Sequence, residues 1–172
     1  MVTRKKITDP DTKPQHGLKM RLDDMMTIQP KTEKQKEFFD AYQQGHYFCA
    51  LSGVAGTGKT YIAFYKALEE VMEKSNPYTK LVIIRSSVQS REMGHLPGDA
   101  EEKMNQFTEP YKQIAAELFK RKDAWDRLVE QGYVEFLSTS FIRGTTFNNA
   151  IVMLDESQNC TMHELDTIIT RI

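Results

Sequence analysis

Residues 53–60 read Gly-Val-Ala-Gly-Thr-Gly-Lys-Thr, the pattern G-x-x-x-x-G-K-[ST] that cradles the phosphates of a nucleotide. Each residue type has a physical task there. Gly53, Gly56 and Gly58 let the backbone take positive φ and approach an anion closely. The N–H groups of the loop, which runs on through Val54, Ala55 and Thr57, then converge as an anion nest. A helix starting at the loop's end adds the positive end of its dipole. Lys59 brings a point charge to the β- and γ-phosphates, and Thr60 a hydroxyl for Mg²⁺. A Gly-rich turn without a ligand is the plainer alternative, and the surroundings weigh against it.

A second chemical group lies at Asp155 and Glu156, which end the apolar run Ala150, Ile151, Val152, Met153, Leu154. If that run is a strand beside the loop, its C-terminal end faces the ligand. Asp155 then shares Mg²⁺ with Thr60, through water. Glu156 orients or deprotonates the attacking water. Two adjacent acids also suit an exposed turn. The loop upstream favours the site.

These groups need elements to hold them. Tyr47, Phe48, Cys49, Ala50 and Leu51 form a short apolar run suited to a buried parallel strand, and residues 61–73 carry apolar side chains near helical spacing. The loop is therefore expected between a strand and a helix, the context that supports the motif. Thr32 with Gln35 three residues on reads as a capping box, the start of a helix ended by Gly45. Further strands are expected at 81–84, 134–137 and 150–154. Helices are expected from about Ala100 to Lys122 with a break near Pro110, over 124–130, and from Thr161 with Met162, Leu165, Ile168 and Ile169 on one face. A turn is expected at Asn76-Pro77, and residues 143–149 read as another. Strands alternating with helices predict an α/β fold: a phosphate-loop NTPase with a mainly parallel sheet flanked by helices.

The composition is that of a soluble globular domain. The chain has 172 residues, 40% hydrophobic and 27% charged, with a net charge of −1. There is no global basic field for nucleic acid. Residues 1–29 are polar and dotted with Pro10, Pro14 and Gly17, so they read as a solvated N-terminal arm ahead of a domain over 30–172. The lysines and arginines before Glu37 make a basic arm an open alternative. Cys49 and Cys160 form no C-x-x-C pair and read as free buried thiols. No stretch reaches the roughly 18 apolar residues of a membrane span, and a cytoplasmic protein without a membrane partner is expected.

Several blocks together resemble one family. They are the loop; Arg85-Ser86-Ser87; His95-Leu96-Pro97-Gly98-Asp99 with Glu102-Lys103-Met104; Arg143-Gly144-Thr145-Thr146-Phe147-Asn148; and Leu154-Asp155-Glu156-Ser157-Gln158-Asn159. They are similar to the PhoH family of phosphate-loop ATPases, itself similar to the RecA-like motor core of superfamily 1 helicases. The resemblance runs from about Thr32 to the C-terminus. It implies ATP and Mg²⁺ as ligands, ATP hydrolysis as the activity, and RNA or single-stranded nucleic acid as a candidate partner. It implies that Gln35 reads adenine, against the alternative that Gln35 only closes the capping box. It implies that Gln158 senses the γ-phosphate or couples it to the nucleic-acid side, against a polar residue that only opens a helix, and that Arg85, Ser87 and Gln89 face a nucleic-acid backbone, against an ordinary polar loop. His95, without partners in the sequence, reads as packing or capping.

The resemblance also leads one to expect a further strand with a T-G-D-like sensor and an arginine near the γ-phosphate. Neither is found before Ile172, in what reads as the middle of a helix. The domain over 30–172 is therefore read as incomplete at its C-terminal end, self-association is expected of it, and a longer chain is expected to behave better. An arginine in the site can be worth about 10³–10⁵ in rate, which leaves a non-hydrolysing nucleotide-binding fragment as one alternative. The other is a nucleoside kinase of thymidine-kinase type, opposed by the missing zinc cysteines and by the Leu96–Asp99 block.

The adenine reading has a direct test. Gln35 presents a donor and an acceptor that match N6 and N7 of adenine and mismatch guanine. ATP is expected to bind more tightly than GTP, and Gln35→Ala to shrink the difference in competition binding. Equal affinity for both bases would return Gln35 to the helix cap.

Overall fold

The computed structural model describes residues 19–86, 100–142 and 144–172. Its centre is a three-stranded parallel sheet of order β2-β1-β3, with β1 at Lys80–Arg85, β2 at Val134–Ser138 and β3 at Ala150–Asp155. Leu81, Val82, Ile83 and Ile84 of β1 are all fully buried. An unbroken apolar run is what a strand covered on both faces requires. Leu81 and Ile83 pack with the helices α2 (Lys59–Met72), α3 (Ala100–Phe119) and α4 (Ala124–Glu130). Val82 and Ile84 pack on the other face with Ile142, Phe147 and Ile168, the last from α5 (Met162–Ile169). The result is an α/β domain of the phosphate-loop NTPase class, with helices on both sides of a parallel sheet.

The helices start where the capping chemistry places them. α1 (Glu33–Gln43) begins after Thr32, whose hydroxyl accepts from the Gln35 N–H at 3.2 Å. The reciprocal bond of a capping box is not made. The Gln35 side chain instead accepts from the Lys31 N–H at 2.7 Å. α5 has the full box: the Thr161 hydroxyl accepts from the Glu164 N–H, and the Glu164 carboxylate from the Thr161 N–H.

Five expectations need correction. The run at 47–51 pairs with no described strand, and Tyr47 and Phe48 stand 70% and 62% exposed. Apolar composition suits a strand, but only a partner's ladder makes one. Cys49 in that run is accordingly exposed, not buried. α3 continues through Pro110 without a break. A proline there removes one N–H bond and crowds the carbonyl four residues back, and the buried Tyr111, Ala115 and Leu118 just beyond hold the helix to the core. The last part of the N-terminal arm is also not a solvated leader. Met20 and Met25 are buried in the main core, and the Met26 N–H donates to the Leu118 carbonyl at 2.7 Å. In α5 only Ile168 is buried, while Met162 and Ile169 face outward. Among the described residues, no helix is long and apolar enough to cross a membrane.

The exposed Tyr47 and Phe48, and the edge of β3 that pairs with no described strand, are two features that favour association. The 172-residue chain is expected to self-associate, and Phe48→Lys to reduce the effect. Light scattering across a concentration series reads both. A monodisperse monomer throughout would overturn the expectation.

Candidate nucleotide site

The loop at 53–60 wraps directly into α2. Gly56 and Gly58 take φ of 76° and 80°, the left-handed region that side chains resist, and Gly58 is the N-cap of α2. The glycines are thus required by the backbone path itself. A Cβ at Gly58 would also sit 3.5 Å from the Gln35 side-chain nitrogen. The Lys59 ammonium donates to the Gly53 and Val54 carbonyls at 2.9 and 2.8 Å, and the Thr57 hydroxyl to the Val54 carbonyl at 2.9 Å. The ammonium is therefore folded over the loop's own carbonyls, with one of its three donors left over among the described bonds.

Thr60, one residue into α2, meets the end of β3. Its hydroxyl donates to Asp155 Oδ1 at 3.1 Å. This contact joins two residues 95 positions apart in the chain. It forms although the segment ahead of the loop does not pair with β3: α2 packs on both β1 and β3 and carries Thr60 there. A hydroxyl and a carboxylate are hard oxygen donors, the kind that suit Mg²⁺. Among the described residues no three His, Cys, Asp or Glu side chains converge on a metal position. A divalent cation here would thus rely on Thr60, Asp155 and phosphate oxygens. That division is the usual one for Mg²⁺.

The second oxygen of Asp155 is held from the opposite side. Tyr111 of α3, fully buried, donates its hydroxyl to Asp155 Oδ2 at 2.6 Å. Burial first, and then the charge of Asp155, holds this phenol well above its usual range. Its proton stays in place at any working pH. A second tie lies nearby, where the Tyr61 hydroxyl donates to Glu117 of α3 at 3.1 Å. Burial and that carboxylate push Tyr61 up to about 12. Helix α3 is thus fastened to the loop helix and to the acidic strand end.

Glu156 takes φ 53° and ψ 42°, a left-handed conformation rare for a residue with a side chain. It opens a short 3₁₀ turn, Ser157–Asn159. The Gln158 amide donates to the Glu156 carboxylate. Thr60, Asp155 and Glu156 line one wall of a cavity of about 350 Å³, with Arg85 beside them and Pro110, Gln113, Ile114 and Glu117 of α3 opposite.

Most of the residues singled out from sequence come together here. Thr60, Lys59, Asp155, Glu156 and Gln158 surround the loop and strand end. Gln35 does reach the loop, where its amide donates to the Thr57 carbonyl at 3.1 Å. Arg85 differs from expectation. It stands in register with Asp155 on the neighbouring strand, so its side chain turns into the same cavity. There it lies over the Phe107 ring, 5.7 Å from its centre. Ser87, Gln89, His95, residues 96–99 and Arg143 lie outside the described residues. The sequence reading missed Tyr111. Its spacing with Ala115 and Leu118 marks only a core position, and nothing local signals a hydroxyl partner 44 residues away.

Comparison with known proteins agrees with this geometry. A family model described as "PhoH-like protein" matches residues 27–172. A PhoH-like protein of Mycobacterium leprae is 33% identical over 147 residues, which is 85% of this chain and 41% of the relative. One from Bacillus subtilis is also 33% identical, over 85% of this chain and 45% of its own length. The protein PhoH of Escherichia coli is 32% identical over 87% of this chain and 42% of its own. The chain therefore spans less than half the length of these curated relatives. With its phosphate loop and acidic strand end inside the matched region, the chain belongs to the PhoH-like family.

Proposed function

We propose that this chain binds ATP with Mg²⁺ and hydrolyses it. The observation that carries the reading is the 3.1 Å bond between Thr60 and Asp155. It brings a phosphate-binding loop and an acidic strand end to one point. The loop N–H groups and the helix dipole receive the β- and γ-phosphates. Lys59 leaves the Gly53 and Val54 carbonyls for the phosphate oxygens, a stronger, charge-assisted partner. Thr60 and Asp155 hold the cation, which when bound neutralises developing charge on the phosphates.

Glu156 is the base. A water in the cavity attacks the γ-phosphorus, the bond from that phosphorus to the β-phosphate oxygen breaks, and ADP leaves. The water's proton passes to a Glu156 carboxylate oxygen. Gln158 holds that carboxylate in place and sits where the γ-phosphate can compete for its amide. Gln35 touches the loop from the side and is the candidate contact to adenine. The likeness of this family's cores to helicase motors makes RNA the partner to test, and RNA-stimulated phosphate release is the measurement. The protein is read as cytoplasmic. ADP formed only with a nucleoside acceptor, which gains the γ-phosphoryl group, would favour the kinase alternative.

Lys59→Ala is expected to remove most Mg²⁺-dependent ATP and ADP binding, because the phosphates lose the one cation of the loop. Isothermal calorimetry decides it. Equal affinity in the two proteins would sink the nucleotide reading.

Glu156→Gln separates binding from chemistry. It is expected to keep ATP affinity and to slow phosphate release by about 10²–10⁴, the contribution of a positioned base. Unchanged turnover would remove Glu156 from the mechanism.

A further inference from the structure

We propose that Tyr111 is a positioning residue for Asp155: its buried hydroxyl fixes the carboxylate so that Oδ1 faces Thr60 and a bound cation. The proposal rests on the Mg²⁺-nucleotide reading above and adds a residue to it.

Ring packing alone does not explain this tyrosine. Its ring lies 6.3 Å from that of Phe64, 5.9 Å from Trp125 and 5.9 Å from Phe136. A phenylalanine would fill the same space. The hydroxyl is what remains to be accounted for, and it points at one acceptor, Asp155 Oδ2, at 2.6 Å. That distance belongs to a strong bond to a charged acceptor.

The two bonds to Asp155 differ in kind. Thr60 is half-buried and lies at the mouth of the loop. Its hydroxyl carries two lone pairs besides the proton, so it can offer one to a cation while still donating to Asp155. Reached by solvent, that bond is exchangeable. The Tyr111 hydroxyl is sealed in the core and makes no second bond among those described, so its bond persists. A carboxylate held on one oxygen cannot rotate freely, and its other oxygen is presented at a fixed angle. Outer partners of this kind typically tune metal affinity by about 10–100-fold. The bond also ties α3 to the strand end, so a shift of α3 would be felt at the cation.

The test titrates Mg²⁺ into the full 172-residue chain with fluorescent ADP, for wild type and Tyr111→Phe. The variant is expected to need about 10–100-fold more Mg²⁺ for half-maximal binding. Its ADP affinity in EDTA is expected to match wild type. A merely structural role would weaken both equally, and that outcome overturns the proposal, as does an unchanged Mg²⁺ midpoint. In an Asp155→Asn background, Tyr111→Phe is expected to add nothing to the Mg²⁺ midpoint. A full additional loss there overturns action through Asp155. If wild type itself shows no Mg²⁺ dependence, the nucleotide reading fails first, and the two failures are thus distinct. Should the variant not fold, 3-fluorotyrosine at 111 keeps the bond and adds a probe. Its ¹⁹F resonance is expected to shift with Mg²⁺ and ADP but not with ADP in EDTA, and no shift overturns the proposal.

Discussion

The carboxylate of Asp155 is the point on which the arrangement depends. It ends β3, accepts from Thr60 of α2 on one oxygen, and accepts from Tyr111 of α3 on the other. A half-buried carboxylate needs such donors, since an unpaired charge at low dielectric is costly. Satisfying it therefore fixes three elements relative to one another. α2, packed on β1 and β3, carries the phosphate loop to the end of β3, and the Thr60 bond fixes it there. The cavity exists because α3 must reach it from the far side. Without the carboxylate the Tyr61–Glu117 bond and the packing of α2 on the sheet would remain, but the two helices would lose their shared bond to the strand end at this corner.

That corner sits on a rigid base. β1 is packed on both faces, so its neighbours are held at fixed register. Arg85 stands level with Asp155 on one side and with Ser138 on the other. The strand ends form one line, and the side chains that project from it share a cavity. This explains why Arg85 turns to the nucleotide corner. Its backbone position is set by the ladder, and in-register residues of neighbouring parallel strands point to the same face. The Phe107 ring and carbonyl then give the guanidinium a place to rest.

What could be read in advance was local. The phosphate loop needs a fixed spacing of glycines, Lys59 and Thr60, and that spacing is contiguous. The strands at 80–85 and 150–155 carry unbroken apolar runs, 134–138 carries Val134, Phe136 and Leu137 around Glu135, and the capped helices carry Thr32 and Thr161 at their starts. What could not be read was non-local. The segment at 47–51 has strand composition, but pairing is a property of two chains of backbone. Pro110 signals a break, yet packing of Tyr111, Ala115 and Leu118 outweighs one lost bond. Met20 and Met25 sit in a polar stretch, and unbranched side chains of this kind fill core gaps without leaving a pattern. Tyr111 looks like any core aromatic until its hydroxyl is seen against Asp155.

The acidic pair shows how a local distortion can make two residues act together. Successive side chains in an extended strand point to opposite faces. Were β3 to continue regularly, Asp155 would face the cavity and Glu156 would face away from it. Both line the cavity, because the chain leaves the strand at Glu156 in a left-handed conformation. For a residue with a side chain that costs on the order of 1–3 kcal/mol. Glycine would adopt it freely but brings no carboxylate. The surroundings hold the turn closed: the Asn159 N–H donates to the Glu156 carbonyl at 2.9 Å, and the Asn159 carbonyl accepts from Ser86 at the end of β1 at 3.0 Å. The distortion thus reads as a positional requirement. Two neighbouring acids can line one cavity at a strand end only if the backbone breaks its alternation between them.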